Sequence, residues 1–266
     1  MLVIGHRGFP SAFPENTIPS FLGALRAGAD GVEMDVHLSK DGVPVVIHDY
    51  DVDRTTNGHG KVSSFTVDQI KRLDAGMKFG MPGIRIPTLQ EVLQAVKREK
   101  RDALLVIEIK RGSAVYPGIE EKVVSEVRAE GVSAQFVSFD YDSLKVVKSA
   151  WPEAETGIIF VGRPSYFCGI AAEVGSKWLR GAHDLVQKGD GDLVHDHGLK
   201  LDVWAPSNPD ELRALSAIAP DSVTTNDPRT ALSLLRRGGQ GLGDEVLAIL
   251  SQGRSVPLSK RRFIKP

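Results

Sequence analysis

Cysteine is almost missing from this chain. Cys168 stands alone among 266 residues, which excludes an internal disulfide and any multi-cysteine zinc site. An excess of charge of one sign is missing too: 33 Lys and Arg face 34 Asp and Glu for a net charge of -1, and no single-sign tail stands out. Without a basic field the chain is not expected to hold a nucleic acid. Long apolar runs are also lacking. Runs such as Leu104–Ile107 and Ile158–Val161 fall far short of a transmembrane segment. Met1–Gly5 reads as a core strand rather than a basic, apolar leader. These absences point to a soluble, cytoplasmic protein, and leave its oligomeric state open.

What is present is an ordinary globular composition, 41% hydrophobic and 25% charged, at a length that falls between one domain and two but suits a single α/β barrel. Short Val/Ile-rich runs alternate with amphipathic stretches. Strands are expected at Leu2–Ile4, Gly31–Leu38, Ala103–Ile109, Phe136–Phe139, Gly157–Val161, Lys177–Leu179, Leu201–Trp204 and Ser222–Thr225, with a further extended piece at Val43–Ile47. Helices are expected at Thr17–Ala27, Leu89–Val96, Ile119–Ala129, Tyr141–Ala150, Leu185–His195, Pro209–Ala217 and Asp227–Arg236. In the first, Ile18, Phe21, Leu22 and Leu25 share one face and Pro19 sits in the tolerant first turn. An alternating series of eight strands predicts an α/β fold, a parallel TIM (β/α)8 barrel spanning 1–237. The glycine-rich segment from about 50 to 86 is too long for a strand–helix loop and reads as a small insertion after the second strand, lying over the barrel mouth. Residues 238–266 read as a C-terminal tail with a short helix at Asp244–Leu250.

Charge on the strands carries the functional signal. Glu33 and Asp35 are two apart and share a face, while Val32, Met34 and Val36 take the other. In a barrel the apolar face meets the helices, so the carboxylates point inward. Glu108 and Lys110 repeat the pattern on the next barrel strand, with Ile107 and Ile109 turned outward. Two such charges about 4 Å apart repel by roughly 4 kcal/mol at an effective dielectric near 20. They must therefore take up a proton, pair with a cation or bind a metal. An all-oxygen set suits one divalent cation, Mg²⁺, Ca²⁺ or Mn²⁺, better than zinc. His6 and His48 follow two of the extended runs directly and are read as proton donor and acceptor. Arg7 and Lys110 would hold phosphoryl oxygens. A cation, an acid and a base around an anion suit attack on a phosphodiester. His37 continues the acidic face toward solvent, His59 lies in a glycine loop, and His195 and His197 flank a helix end; none is assigned a catalytic role.

HRG at 6–8, PENT at 14–17, GADGVEMDVHLSKDGVPVVIHD at 28–49 and DRTTNG at 53–58 resemble the glycerophosphodiester phosphodiesterase family. IPTLQEVL at 86–93, IEIK at 107–110, VSFD at 137–140 and VWAPSN at 203–208 follow in the family's order. The resemblance spans Val3 to Leu235 and implies a TIM barrel that hydrolyses a small-molecule glycerophosphodiester to sn-glycerol 3-phosphate and an alcohol. It implies His6 and His48 as the general acid–base pair, Glu33, Asp35 and Glu108 as metal ligands, and Arg7 and Lys110 near the phosphate. Glu15 and Asn16 either support the site or cap the following helix. Trp204 either flanks the substrate or is a core tryptophan. Two stretches depart from the family pattern: TTNDPR at 224–229, where a TDxP-like element is usual, and SKWLRGAHDLV at 176–186.

Two rivals remain at this level. A lysophospholipase D-like relative on the same barrel would want an apolar mouth, for which Phe9, Pro10, Phe13 and Phe79 are candidates. A non-catalytic phosphodiester-binding barrel would be expected to lack a histidine or a metal acid, and all are present. GxSxG, GxxxxGK and a strand-following GxGxxG are absent.

Overall fold

The computed structural model describes residues 1–206 and 208–236. The expected tail helix at Asp244–Leu250 lies outside them. The chain runs β1 (Leu2–Gly5), α1 (Ile18–Arg26), β2 (Gly31–Leu38), β3 (Pro44–Val46), α2 (Val67–Ile70), α3 (Leu89–Glu99) and β4 (Leu104–Ile109). It continues through α4 (Gly112–Val115), α5 (Ile119–Glu130), β5 (Ala134–Ser138), α6 (Tyr141–Ala150), β6 (Glu155–Phe160) and α7 (Pro164–Glu173). The last described elements are β7 (Trp178–Ala182), α8 (Asp190–Asp196), β8 (Lys200–Trp204), α9 (Pro209–Ile218), β9 (Ser222–Thr225) and α10 (Pro228–Leu235). Strands pair in the order β1-β9-β8-β7-β6-β5-β4-β2, all parallel, and β1 pairs with β2 to close a TIM (β/α)8 barrel. β3 folds back antiparallel on the C-terminal half of β2.

Strand alternation divides the core as expected. Val32, Met34, Val36, Ile107 and Ile109 pack outward with Leu89, Leu93 and Val123 of α3 and α5. Val3, Ile158, Leu201, Val203 and Val223 pack outward with Cys168, Leu212 and Ala231 on the opposite side. Each such side chain, fully buried, contributes about 1.5–3 kcal/mol. Inside the barrel a smaller cluster, Ile4, Val106, Val137 and Ile159, fills the space beneath the mouth.

The insertion builds a small core from Val52, Val62, Ile70, Ala75 and Ile86 together with Val45 and Ile47 just before it. Asp74 orders its glycine-rich end by accepting hydrogen bonds from the backbone N–H groups of Gly76, Met77 and Gly83.

Two expectations need correction. The helix expected at Leu185–His195 begins only at Asp190. Gly189 adopts φ +86 and stops helix growth backwards, while the Asp190 carboxylate accepts from Gln187 N–H at 2.7 Å and turns the preceding segment into a loop. The helix α7 was not expected. Pro164 starts it at a position where the missing N–H costs nothing, and Phe167 stacks on Phe160 with ring centroids 4.3 Å apart.

Candidate active site

The site is built at the C-terminal ends of β1, β2, β4 and β8, with His48 supplied by the segment after β3. At the end of β1 the backbone turns sharply: Arg7 takes φ 52 and Gly8 takes φ 89. A Cβ at Gly8 would sit 2.4 Å from the Ser20 hydroxyl, so only glycine lets α1 pack this close. The turn directs the Arg7 N–H onto Glu33 Oε2 at 2.9 Å, its Nη1 onto Glu15 Oε1 at 2.9 Å, and its Nε to 3.4 Å from Asp35 Oδ2.

β2 and β4 supply the acids. Asp35 and Glu108 are direct neighbours in the parallel register. Oxygens of Glu33, Asp35 and Glu108 all lie within 4.8 Å of one another, and the three side chains are buried. Lys110 Nζ bridges Asp35 Oδ1 at 2.9 Å and Glu108 Oε1 at 2.7 Å. Asn16 Nδ2 donates to Asp35 Oδ2 at 2.7 Å. The cap of α1 is Thr17, whose side chain accepts from Ser20 N–H, so Asn16 serves the acidic cluster and not the helix.

Electrostatics separates these acids. Burial alone would raise Asp35, but Lys110 and Arg7 overcome it and hold its carboxyl well below the usual range. Burial and the Asp35 charge push Glu33 well up, and among the described residues no Lys or Arg side-chain nitrogen lies within 4.0 Å of it. Burial pushes Glu108 up to about 7 despite Lys110. Three carboxylates sharing fewer than three cations are a set that a hard divalent ion would complete.

The histidines flank this cluster. His6 Nδ1 donates to Asn226 Oδ1 at 2.7 Å, and its Nε2 faces Glu33 at 3.9 Å. Burial, with Arg7 adding to it, lowers the His6 pKa to about 4. His48 Nδ1 donates to Asp49 Oδ1 at 2.6 Å, and burial again lowers its pKa. His37, expected to run into solvent, is fully buried. Its Nε2 lies 3.0 Å from the His48 backbone carbonyl, which only accepts, so Nε2 carries the proton and Nδ1 accepts from the Tyr116 hydroxyl at 2.9 Å. His37 thus holds the backbone of a candidate catalytic residue.

Several participants were not legible in advance. Arg54, from the insertion, donates to Glu15 through two nitrogens at 2.8 and 2.7 Å and to Asp49 at 2.6 and 3.2 Å. An unbroken chain therefore runs Arg7–Glu15–Arg54–Asp49–His48. Its central member, Arg54, lies in the motif DRTTNG at 53–58, but nothing local showed which groups it joins. Asn226 falls in the departing TTNDPR stretch. Arg180, in the other departing stretch, is 3% exposed, pairs with Asp202 at 3.2 Å and lines the cavity.

These groups surround a cavity of about 180 Å³. His6, Arg7, Glu33, His48, Glu108 and Lys110 give it a polar lining, and Val137, Phe139, Ile159 and Trp204 an apolar one. Trp204 is therefore no plain core residue; its Nε1 donates to the Arg180 carbonyl at 3.0 Å and its ring meets Phe139 edge-on. An outer groove of about 710 Å³ shares His48, Glu108, Lys110 and Phe139 with the cavity. Phe9 does not line the mouth: it is 3% exposed in the helix-side core, with Phe13 packed against that core.

A closed parallel barrel with convergent acids, cations and imidazoles at its C-terminal face is an enzyme architecture. The chain belongs to the glycerophosphoryl diester phosphodiesterase family, whose profile matches residues 6–230. It is 41% identical over 249 residues to a glycerophosphodiester phosphodiesterase of Caldanaerobacter subterraneus subsp. tengcongensis, covering 90% of this chain and 99% of that protein. A Bacillus subtilis glycerophosphodiester phosphodiesterase is 30% identical, with 86% and 84% covered. Among solved structures, a phosphodiesterase of Oleispira antarctica in complex with the product sn-glycerol-3-phosphate superposes with a TM-score of 0.81 at 26% identity, covering 89% of this chain and 97% of that one. The chain is a phosphoric diester hydrolase of this family. Among the described residues no helix is long and apolar enough to cross a membrane.

Proposed function

We propose that the chain hydrolyses small glycerophosphodiesters to sn-glycerol 3-phosphate and an alcohol in the cytoplasm, with His6 and His48 exchanging the protons. The observation that carries this reading is that both imidazoles line one cavity together with Glu33 and Glu108 of the acidic cluster. Glu33, Asp35 and Glu108 would hold one divalent cation, Mg²⁺, Ca²⁺ or Mn²⁺, which when bound supplies charge neutralisation at a non-bridging phosphate oxygen. Arg7 and Lys110 bind the remaining phosphate charge, and Trp204 packs on the carbon skeleton. His6, kept neutral by burial, removes the proton from the attacking oxygen. His48 lines both the inner cavity and the outer groove, so it faces the alcohol side and protonates the departing oxygen. Asp49 fixes its ring with Nε2 free. Glu15 and Asn16 hold Arg7 and Asp35 in place.

The test is glycerophosphocholine and glycerophosphoethanolamine turnover with EDTA and with each ion. Ion-dependent release of sn-glycerol 3-phosphate supports the reading; binding without turnover under every ion supports a non-catalytic barrel. A lysophospholipase D-like activity is the second reading. Phe139 at 50%, Val161 at 62% and Tyr166 at 73% exposure follow neighbouring strands at the mouth and would accept an acyl chain. Faster turnover of lysophosphatidylcholine, with lysophosphatidate or its cyclic form as product, would favour it.

Two pH effects are expected. In Asn226→Asp a carboxylate replaces the amide at His6 Nδ1 and stabilises the imidazolium. The His6 pKa rises from about 4, and the acidic limb of kcat/KM against pH moves to higher pH. An unmoved limb would remove His6 as the base. The second concerns the ion-free protein. Glu108 goes from a reference of 4.5 to about 7 on folding. Between these values the folded state binds more protons than the unfolded, so stability falls as pH rises across that window. Adding the cation displaces those protons, and its affinity rises with pH through the same window. Thermal melts with and without Mn²⁺ at several pH values measure both.

A further inference from the structure

The outer groove carries opposite charges that do not pair. Arg111 follows Lys110 at the end of β4 in a left-handed backbone conformation, φ 60 and ψ 2, which a side-chain-bearing residue adopts at a cost. Its guanidinium lies 4.1 Å from the Tyr50 ring centroid. Among the described residues no carboxylate oxygen comes within 4.0 Å of it, although Asp51 and Asp140 line the same groove. Asp51 accepts from Asp53 N–H at 3.3 Å, and Asp140 Oδ1 accepts from Asp142 N–H at 3.2 Å at the start of α6. Neither has a cationic side chain within 4.0 Å among the described residues. Of the other acids lining the groove, Asp49 is occupied by Arg54 and His48, and Glu108 by Lys110. The guanidinium is thus held by an aromatic face and the two carboxylates by backbone amides, around a space of about 710 Å³ that opens into the catalytic cavity.

We propose that this groove receives the alcohol half of the substrate and selects an alcohol bearing a carboxylate and an ammonium on one carbon. Glycerophosphoserine is the simplest diester of that kind. The proposal rests on the hydrolytic reading above and names the substrate class of the same site. Arg111 binds the carboxylate; Asp51 and Asp140 bind the ammonium. Arg111 does not line the inner cavity, where Arg7 and Lys110 already meet the phosphate. Its charge is therefore available to the alcohol. An ethanolamine or choline headgroup would leave the guanidinium facing a cation, and a glycerol headgroup would leave all three charges unmatched.

The experiment compares kcat/KM for the phosphodiesters of glycerol with serine, ethanolamine, choline and glycerol, using the intact protein, Arg111→Gln and Asp51→Asn. Expected is a preference of about tenfold or more for serine over ethanolamine, the size of effect that a charge-assisted contact gives. Arg111→Gln should bring that ratio to about one, mainly through KM of the serine diester. Asp51→Asn should lower both amino substrates relative to glycerophosphoglycerol. Because Arg111 and Asp51 lie at the surface of the groove, thermal melts of the variants should match the parent protein. Equal turnover of serine and ethanolamine diesters by the unsubstituted protein would overturn the proposal. So would an Arg111→Gln that slows all four substrates alike, which would make the guanidinium a ligand of the scissile phosphate. Absence of hydrolysis of all four with every divalent ion would instead remove the hydrolytic reading beneath it.

Discussion

His48→Gln is expected to lower kcat on glycerophosphocholine by about three orders of magnitude, within the range of about 10²–10⁴ that a positioned proton donor contributes, while losing far less on a nitrophenyl ester of glycerol phosphate. A nitrophenolate departs without being protonated, so it does not need the acid. His6→Gln should lose both substrates about equally, because the attacking oxygen must shed its proton whatever leaves. The contrast follows from position: His48 borders both the inner cavity and the outer groove, to which the proposal assigns the alcohol, whereas His6 borders only the inner cavity of the two. His48 also has the stronger support for a positive charge, since its Nδ1–H points at Asp49, a carboxylate that Arg54 and His48 hold, against burial, at a pKa of about 2. His6 has only the neutral amide of Asn226. If the nitrophenyl ester rescues His6→Gln and not His48→Gln, the roles are reversed. Full activity of either variant on glycerophosphocholine would end its part in the chemistry. Glutamine keeps the size and polarity at both positions, so folding is not expected to change.

The barrel was readable because period-two alternation is a local property. On β2 the residues Val32, Met34 and Val36 separate cleanly from Glu33 and Asp35, and the pleat alone sends the two sets to opposite faces. The same reasoning placed Glu108 and Lys110. Burial after the turn at the end of β1 was not readable: Phe9 stands next to HRG in sequence, but the left-handed Arg7 and Gly8 swing it under α1. Asn16 and Thr17 are equally good caps by residue type; the choice between them is made by backbone angle, with Asn16 at φ 56 and Thr17 extended at φ -121. The partners of the two imidazoles differ in the same way. Asp49 is adjacent to His48 and was visible as a neighbour, whereas Asn226 is 220 residues from His6 and reaches it only because β9 closes the barrel beside β1. Long-range pairing of this kind has no local signature, which is why the Arg54 bridge between Glu15 and Asp49 also stayed hidden.

Asp35→Asn and Glu33→Gln should abolish activity alike yet differ in what they do to the ion-free fold. Asp35 is 1% exposed and its charge answers two cations, Lys110 at 2.9 Å and Arg7 at 3.4 Å. Removing it leaves those charges buried with less compensation, a change that costs about 3–5 kcal/mol when one partner of a buried pair is lost. Glu33 is buried as well, but burial and the Asp35 charge already push its carboxyl pKa up, and it receives its nearest hydrogen bond from the Arg7 backbone at 2.9 Å. Glutamine keeps an oxygen for that N–H, so stability should change by less than about 1 kcal/mol. Chemical denaturation in EDTA separates the two variants by this difference. Both should then lose the rise in midpoint expected of the parent protein with Mn²⁺ or Ca²⁺, because binding to the native state alone is what raises it. A variant of either kind that still gains stability from the ion, and still turns over glycerophosphocholine, would show that the acidic cluster of β2 and β4 is a structural charge network with Arg7 and Lys110 and not an ion site.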